Sequence, residues 1–133
     1  PYGYHPSLEA LATASDFFLC VLPGGDFTKN RIGKNIFKKI GPAGIFINIG
    51  RGSCVDEEAL AQSLSNGDLG AAGLDVYSRE PEVNPTLTTL SNVVLLPHIG
   101  SATIETREAM GQLVIDNLNA EICNKKLISE VKN

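Results

Sequence analysis

Short continuous apolar runs along the chain alternate with longer segments that carry an apolar residue every third or fourth position. The runs predict four strands, at residues 17–22, 44–50, 71–76 and 92–96. The helically spaced segments predict helices at residues 8–14, 29–40, 57–64 and 103–123, with Ser7 and Asp56 as N-caps. Residues 78–90 carry prolines and predict no convincing helix.

Alternating strands and helices of this length are typical of right-handed βαβ units. The runs are apolar on both faces, as in strands of a covered parallel sheet. We therefore predict an α/β fold with a doubly wound parallel sheet. In such sheets ligands bind beyond the carboxyl ends of the strands, so the residues that follow each strand are the candidates for function.

Composition narrows the classes of function. The 133 residues carry a net charge of −4, which gives no basic surface for nucleic acid, and no apolar stretch is long enough for a membrane span. Cys20, Cys54 and Cys123 are far apart, so we expect reduced thiols in an intracellular, cytoplasmic protein, with no disulfide framework and no metal site.

Arg51 follows the second predicted strand, and Asp75 lies at the carboxyl end of the third. Arg51 stands between Gly50 and Gly52, where its guanidinium is suited to binding a carboxylate. The alternative is a surface arginine in a tight turn. Asp75 could accept a hydrogen bond from an amide or hydroxyl of a ligand, or cap a helix.

His98 follows the fourth strand, and Glu80 precedes it in a loop. A carboxylate beside an imidazole favours the protonated ring and orients it, which suits a general acid near neutral pH. Taken alone, the histidine could be structural and the glutamate a solvated charge. Together with Arg51 they fit reduction of a carbonyl next to a carboxylate, for which a nicotinamide would have to supply hydride.

Several motifs in order resemble the D-isomer-specific 2-hydroxyacid dehydrogenases, from about residue 7 to residue 131. They are Ile47-Asn48-Ile49-Gly50-Arg51-Gly52, Val55-Asp56-Glu57, Gly73-Leu74-Asp75-Val76, Glu80-Pro81 and Pro97-His98-Ile99-Gly100-Ser101. Residues 80–83 and 93–110 look most like the glyoxylate and hydroxypyruvate reductase branch.

The resemblance implies a Rossmann-like fold and a role for each candidate residue. Arg51 would bind the carboxylate and carbonyl oxygen of a 2-oxoacid, His98 would bind substrate and donate the proton, and Glu80 would pair with His98. Asp75 would contact the nicotinamide carboxamide. The dinucleotide would also be lined by Leu22, Pro23, Ile49, Gly50, Arg51, His98, Gly100 and Ser101. The cofactor would be NAD or NADP, with NADPH slightly favoured by the branch, and the full-length protein would be a homodimer.

The sequence departs from the family in two places. No G-x-G-x-x-G phosphate loop occurs, although the family has one in the first βαβ unit of this domain. Residues 23–28 also differ from the family's pattern of a proline-threonine pair and an acidic residue. With no phosphate loop and no initiator methionine at Pro1, the resemblance implies that residues 1–101 are the second half of an NAD(P)-binding domain. Residues 102–133 would then be a helix and tail that return toward an absent substrate domain.

A half sheet of this kind would expose an edge strand and apolar faces. Two other hypotheses remain open at this stage. One is a non-enzymatic, corepressor-like module that senses dinucleotides and acts through partners. The other is that the 133-residue chain is an inactive fragment of an enzyme.

Overall fold

The computed structural model describes residues 3–131, which form two compact units, one up to His98 and one from Ile99. The first unit contains α1 (Leu8–Thr13), β1 (Phe17–Cys20), α2 (Lys34–Ile40), β2 (Ile45–Asn48), a 3-10 turn (Gly52–Cys54), α3 (Glu57–Ser65), β3 (Ala71–Leu74), α4 (Pro85–Thr89) and β4 (Val93–Leu95). The second contains α5 (Ile104–Ile122).

The four strands form one parallel sheet in the order β1-β2-β3-β4. Each new strand is therefore added to the same edge of the sheet. This is one wing of a doubly wound sheet, and the predicted α/β, Rossmann-like, incomplete fold is confirmed. The observed strands are shorter than the apolar runs, because β1 ends at Cys20 and β3 at Leu74.

The core lies on one face of the sheet. Right-handed crossovers that all proceed in one direction place their helices on the same side. Phe46 of β2 is fully buried there, with the ring of Phe37 from α2 at 5.4 Å in an edge-on arrangement and that of Phe18 at 6.2 Å. Packing on this face keeps the strands, and therefore their carboxyl ends, in a fixed register.

The opposite face of the sheet is apolar and open. Leu19, Ile47, Gly73 and Val94 share one row across the four strands. Leu19 is 53% exposed, Val94 63%, and Phe17 in the neighbouring row 67%. The prediction that these strands are covered on both faces is thus wrong for the chain as it stands, whereas the exposed apolar face expected of a half sheet is observed.

The helix predicted for residues 29–40 begins five residues later, at Lys34. Ile32, which fitted the helical spacing, instead lies beside Val55 in a parallel bridge. Its N–H donates to Cys54 at 3.0 Å, and its carbonyl accepts from Asp56 at 2.9 Å. Gly33 then serves as an extended N-cap. The pairing of Ile32 therefore keeps residues 29–33 out of the helix, although periodicity alone predicts that the helix includes them.

The segment 78–90 contains a helix, α4, where none was predicted. Asn84 caps it by accepting from the N–H of Thr86 at 2.9 Å, and Pro85 occupies the first helical position. Proline suits that position because its fixed φ is helical and its missing N–H has no partner there anyway. The Asn-Pro pair was therefore a helix start rather than a sign of irregular loop.

In the second unit, Thr103 caps α5 by accepting from the N–H of Thr106 at 3.2 Å. The helix lies within the predicted range 103–123, and a stripe of apolar side chains along it is exposed. Its members are Met110, Leu113, Val114, Leu118 and Ile122. Asn117 contacts the tail that follows the helix: its Oδ1 accepts a hydrogen bond from the N–H of Ile128 at 3.0 Å. Within residues 3–131, no helix combines the length and the apolar character needed to span a bilayer.

Candidate active site

The carboxyl ends of β1, β2 and β3 pack closely at one edge of the sheet. Pairing continues past the strands, with the N–H of Ile49 donating to Cys20 at 3.2 Å and that of Asp75 to Asn48 at 3.0 Å. A Cβ on Gly50 would lie 2.6 Å from the carbonyl oxygen of Leu22, so only glycine permits this approach. The residues predicted to line a dinucleotide on these strands, Leu22, Pro23, Ile49, Gly50 and Asp75, therefore share one edge.

Asn48 shapes the turn that presents Arg51. Its side chain is 1% exposed; Oδ1 accepts from the N–H of Gly50 at 3.1 Å, and Nδ2 donates to the carbonyl of Arg51 at 3.2 Å. Both bonds fix the backbone on either side of the Arg51 α-carbon. The guanidinium itself is exposed, with one Nη donating to the carbonyl of Gly50 at 2.7 Å. The turn thus carries the Arg51 guanidinium at the carboxyl ends of the strands, on a backbone that Asn48 fixes.

Gly52 brings the Arg51 turn against the end of β3. A Cβ at this position would overlap the carbonyl carbon and oxygen of Tyr77. Gly52 of the Gly-Arg-Gly motif is therefore required by a close approach of two backbones.

His98 and Glu80 form a direct pair. Nδ1 of His98 lies 2.7 Å from Oε2 of Glu80, and both side chains are partly exposed, at 46% and 36%. A carboxylate partner at Nδ1 favours a proton there and directs Nε2 away from Glu80. His98 has φ +56°, a left-handed conformation that is uncommon for a residue with a side chain and that is often found at functional sites.

Two donors hold Glu80 ionised. The hydrogen bond from His98 is the main cause that lowers the pKa of the Glu80 carboxyl, and the bond that Oε1 accepts from the N–H of Tyr77 at 3.0 Å is the next. The positive charge of Arg51 lowers the pKa further in the same direction. Glu80 is thus a carboxylate at neutral pH, which is the state that orients an imidazole.

The loop that carries Glu80 is anchored to α3. Glu57 accepts from the N–H of Ser78 at 3.1 Å and, through its other oxygen, from the hydroxyl of Ser78 at 3.1 Å. Glu58 accepts from Nδ2 of Asn84 at 3.1 Å. The acidic first turn of α3 therefore fixes both ends of this loop.

A recess of about 340 Å³ lies beside the Glu80–His98 pair. Its walls are mostly apolar, and its lining residues are Tyr77, Glu80, Pro81, Val83, Leu95, Leu96, Pro97 and His98. An apolar cavity with a few polar groups is the usual setting of a small-molecule site.

The structure brings together part of the set predicted from the sequence. Glu80 and His98 are in contact, Arg51 acts electrostatically on Glu80, and Asp75 is buried at the end of β3. Gly100 and Ser101 belong to the second unit, so their predicted cofactor contacts stay predictions. The same is true of the roles assigned to the other site residues.

Asn48 and Tyr77 were not singled out from the sequence. For Asn48 a signal was present, because it is a polar residue inside an otherwise apolar strand. For Tyr77 there was none, since its contacts with Leu96 and Gly52 join it to segments distant in sequence. Among residues 3–131, no three His, Cys, Asp or Glu side chains are grouped as a metal ion would require.

The chemistry of these side chains fits one end of a nicotinamide dinucleotide. Ile49 presents an exposed apolar side chain beside the Arg51 turn, and Asp75, which is buried, carries a carboxylate directly after the next strand. The Ile49 side chain suits contact with the flat nicotinamide ring, and the Asp75 carboxylate suits a hydrogen bond from the carboxamide of the cofactor. No side chain at this edge can itself deliver a hydride, whereas Arg51 and His98 can hold a carboxylate and supply a proton.

This parallel fold and strand-edge site define a nucleotide-binding domain of the Rossmann kind. Residues 2–100 match the model of the D-isomer specific 2-hydroxyacid dehydrogenase, NAD binding domain, and the chain belongs to this family.

Several known proteins are similar to this chain in sequence or in structure. The chain is 47% identical over 130 residues to hydroxyphenylpyruvate reductase of Plectranthus scutellarioides, covering 98% of this chain and 42% of that protein. It is 51% identical over 112 residues to glyoxylate/hydroxypyruvate reductase B of Enterobacter sp. (strain 638), covering 84% and 35%. The NADPH-dependent glyoxylate/hydroxypyruvate reductase of Sinorhizobium meliloti, solved with NADP and malonate, superposes with a TM-score of 0.94 at 42% identity, covering 98% and 41%. The chain thus spans about two fifths of the length of these relatives.

Proposed function

We propose that this chain supplies the nicotinamide-side and proton-donating part of an NAD(P)-dependent oxidoreductase that acts on 2-oxoacids and D-2-hydroxyacids. The observation that carries the proposal is the Glu80–His98 pair, with 2.7 Å between Oε2 and Nδ1, at the strand edge beside the Arg51 turn. Family membership supports the same reaction class.

Each side chain has a distinct task in the proposed reaction. The Arg51 guanidinium binds the carboxylate of the 2-oxoacid and polarises its carbonyl. His98, protonated and held at Nδ1 by Glu80, donates a proton from Nε2 to the carbonyl oxygen as it becomes a hydroxyl. Asp75 would contact the carboxamide of the cofactor. A nicotinamide, when bound, supplies the hydride that reduces the carbonyl carbon.

Glyoxylate and hydroxypyruvate are the substrates that we propose. Two of the relatives above are named as glyoxylate/hydroxypyruvate reductases, and the Sinorhizobium meliloti protein is described as NADPH-dependent. NADPH is accordingly the cofactor that we propose first, with NADH as the alternative. The corepressor-like hypothesis receives no support, since these relatives are named as reductases.

We propose that the 133-residue chain binds dinucleotides only weakly by itself. The pyrophosphate of such cofactors is normally held by the N–H groups of a glycine-rich loop at a helix N-terminus, a motif that the sequence does not contain. Calorimetric titration with NADH and NADPH tests this directly. Submillimolar binding of either would contradict it.

A chimera can test the activity. Residues 7–131 would replace the matching part of the Sinorhizobium meliloti reductase, and oxidation of NADPH would be followed after addition of glyoxylate or hydroxypyruvate. We expect turnover, and a roughly 10- to 100-fold lower kcat/KM for Arg51→Lys, because the ammonium cannot keep the two-pronged geometry. Arg31→Lys, at an exposed site that bonds the carbonyl of Phe27, is the matched control. A folded chimera that binds NADPH without reducing either acid would overturn the proposal.

The division into residues 1–101 and 102–133 is proposed as two functional parts, supported by two compact units that divide after His98. Limited proteolysis should cut first between His98 and Ile104; a first cut inside the sheet would contradict this division.

A homodimer is proposed for the full-length protein, supported by the exposed apolar stripe of α5, and sedimentation of the chimera would test it. A cytoplasmic location is proposed from the three free cysteines of the described chain, and fractionation of the source cells would test it.

A further inference from the structure

We propose that Tyr77 is a positioning residue that holds the three candidate catalytic side chains, Arg51, Glu80 and His98, in one arrangement. The inference rests on the proposed function, and it assigns Tyr77 no contact with substrate or cofactor. It follows from three separate contacts of this single residue with the three segments that carry those side chains.

The hydroxyl of Tyr77 reaches the strand end that leads to His98. It donates to the carbonyl of Leu96 at 2.7 Å and lies 3.3 Å from the carbonyl of Leu74. Leu96 is followed by Pro97, whose ring fixes φ, and then by His98 in its left-handed conformation. A tether at Leu96 therefore limits how far the imidazole can move.

The N–H of the same residue holds the other member of the pair. It donates to Oε1 of Glu80 at 3.0 Å, while Oε2 receives the bond from His98. The carboxylate is thus held at both oxygens, one by Tyr77 and one by His98. Its orientation toward the imidazole does not depend on the exposed side of the loop.

The backbone of Tyr77 also forms the surface on which the Arg51 turn rests. Gly52 approaches the Tyr77 carbonyl so closely that no Cβ fits between them. The side chain of Tyr77 is 8% exposed, and this burial is the main cause that raises the pKa of its phenol, followed by the negative charge of Asp75. The hydroxyl therefore remains a donor at neutral pH.

Tyr77→Phe tests the inference, because it removes the tether to Leu96 and keeps the ring. The first measurement is the pKa of the Glu80 carboxyl in the 133-residue chain, by NMR of the labelled side chain. We expect the lowered pKa to move up toward the ordinary value for glutamate as the His98 contact loosens. The signal reports on folded molecules, so a loss of stability does not obscure it. Tyr4→Phe, at a 90% exposed tyrosine, is the matched control and should leave the Glu80 pKa unchanged.

The second measurement is turnover in the chimera. Tyr77→Phe should lower kcat about tenfold with little change in KM, since positioning of the proton donor is lost and substrate binding is retained. An unchanged Glu80 pKa together with an unchanged kcat would overturn the positioning role. If the wild-type chimera is inactive but the Glu80 pKa still rises in Tyr77→Phe, the contact network is supported and the proposed function fails.

Discussion

Glu80 and His98 are a partly exposed pair, so the contribution of their contact to stability is small and screened by solvent. The contact matters for the orientation of the ring, because the bond between Oε2 of Glu80 and Nδ1 of His98 sets which ring nitrogen faces away from the protein. Two further polar contacts, those of Asn48 and Tyr77, hold the backbone around the pair and around Arg51. At this scale the site is a set of hydrogen bonds: those of Asn48, and that from Tyr77 to Glu80, join near neighbours in sequence, whereas the bond between Glu80 and His98 joins two separate segments.

The lowered pKa of Glu80 predicts how the pair responds to pH. Its folded-state pKa lies below the unfolded value, so the ionised carboxylate stabilises the folded chain above the unfolded-state pKa. That stabilisation is lost as the pH falls through the folded-state pKa. His98→Ala removes the main cause, so the Glu80 pKa measured by NMR should rise. The pKa of Glu105, which the N-terminal turn of α5 lowers independently, should not change in that variant.

Asn48→Ala should destabilise the chain by about 1–3 kcal/mol, because the buried N–H of Gly50 loses its acceptor. Chemical denaturation measures the change in free energy of unfolding. Asn119→Ala, at an exposed position of α5, should change it little. A loss at position 48 no larger than the loss at position 119 would show that the Asn48 contacts are not required for the fold.

Arg51, Asp75 and His98 could be singled out from the sequence because each lies at or just after the carboxyl end of an apolar run, and strand ends converge in a parallel sheet. Glu80 became a candidate only through its chemical relation to His98. Tyr77 could not be found in this way, since it acts through its N–H and its hydroxyl on backbone and carboxylate groups that only the folded chain brings near.

At the scale of elements, the strands were predictable because each is a short apolar run bounded by glycine, proline or a polar residue. One error arose where local pattern and tertiary pairing disagree, and the other where a local signal for a helix start was not used. Residues 29–33 have helical spacing, yet Ile32 pairs with Val55, and the Asn84-Pro85 pair starts a helix inside a proline-bearing segment. Pairing between distant segments leaves no periodic trace in a single sequence.

The contact between the Arg51 turn and β3 depends on one missing side chain. Gly52→Ala should lower the free energy of unfolding by about 1–3 kcal/mol, because the added methyl overlaps the Tyr77 carbonyl. Thermal and chemical unfolding measure this change.

Gly73→Ala is the matched substitution, since its Cβ would meet nothing nearer than 3.9 Å. It should raise the stability by up to about 1 kcal/mol, as alanine is favoured over glycine within a strand. Equal effects at both positions would contradict the close approach at Gly52.

At the scale of the whole chain, the open sheet face is the dominant feature. Apolar residues in one row, Leu19 and Val94 among them, are exposed although their sequence pattern is that of a buried strand. The pattern shows that these residues are suited to being covered, and no sequence pattern shows by what. Large exposed apolar surfaces on soluble chains promote association.

We therefore expect the 133-residue chain to self-associate, and the double variant Leu19→Thr and Val94→Thr to reduce this while leaving the unfolding temperature nearly unchanged. Sedimentation velocity measures the association. The exposed polar pair Gln62→Ala and Asn119→Ala should leave it as it is. A monomeric wild-type chain would show that the open face is not an association surface.

The central claim is that His98, oriented by Glu80, is a proton donor to a 2-oxoacid. The most direct measurement is kcat for glyoxylate or hydroxypyruvate in the chimera with the Sinorhizobium meliloti reductase, compared between wild type and His98→Ala under saturating NADPH. Loss of a positioned general acid should lower kcat about 100- to 10,000-fold without preventing NADPH binding. Turnover near the wild-type rate in a folded His98→Ala chimera would contradict the claim.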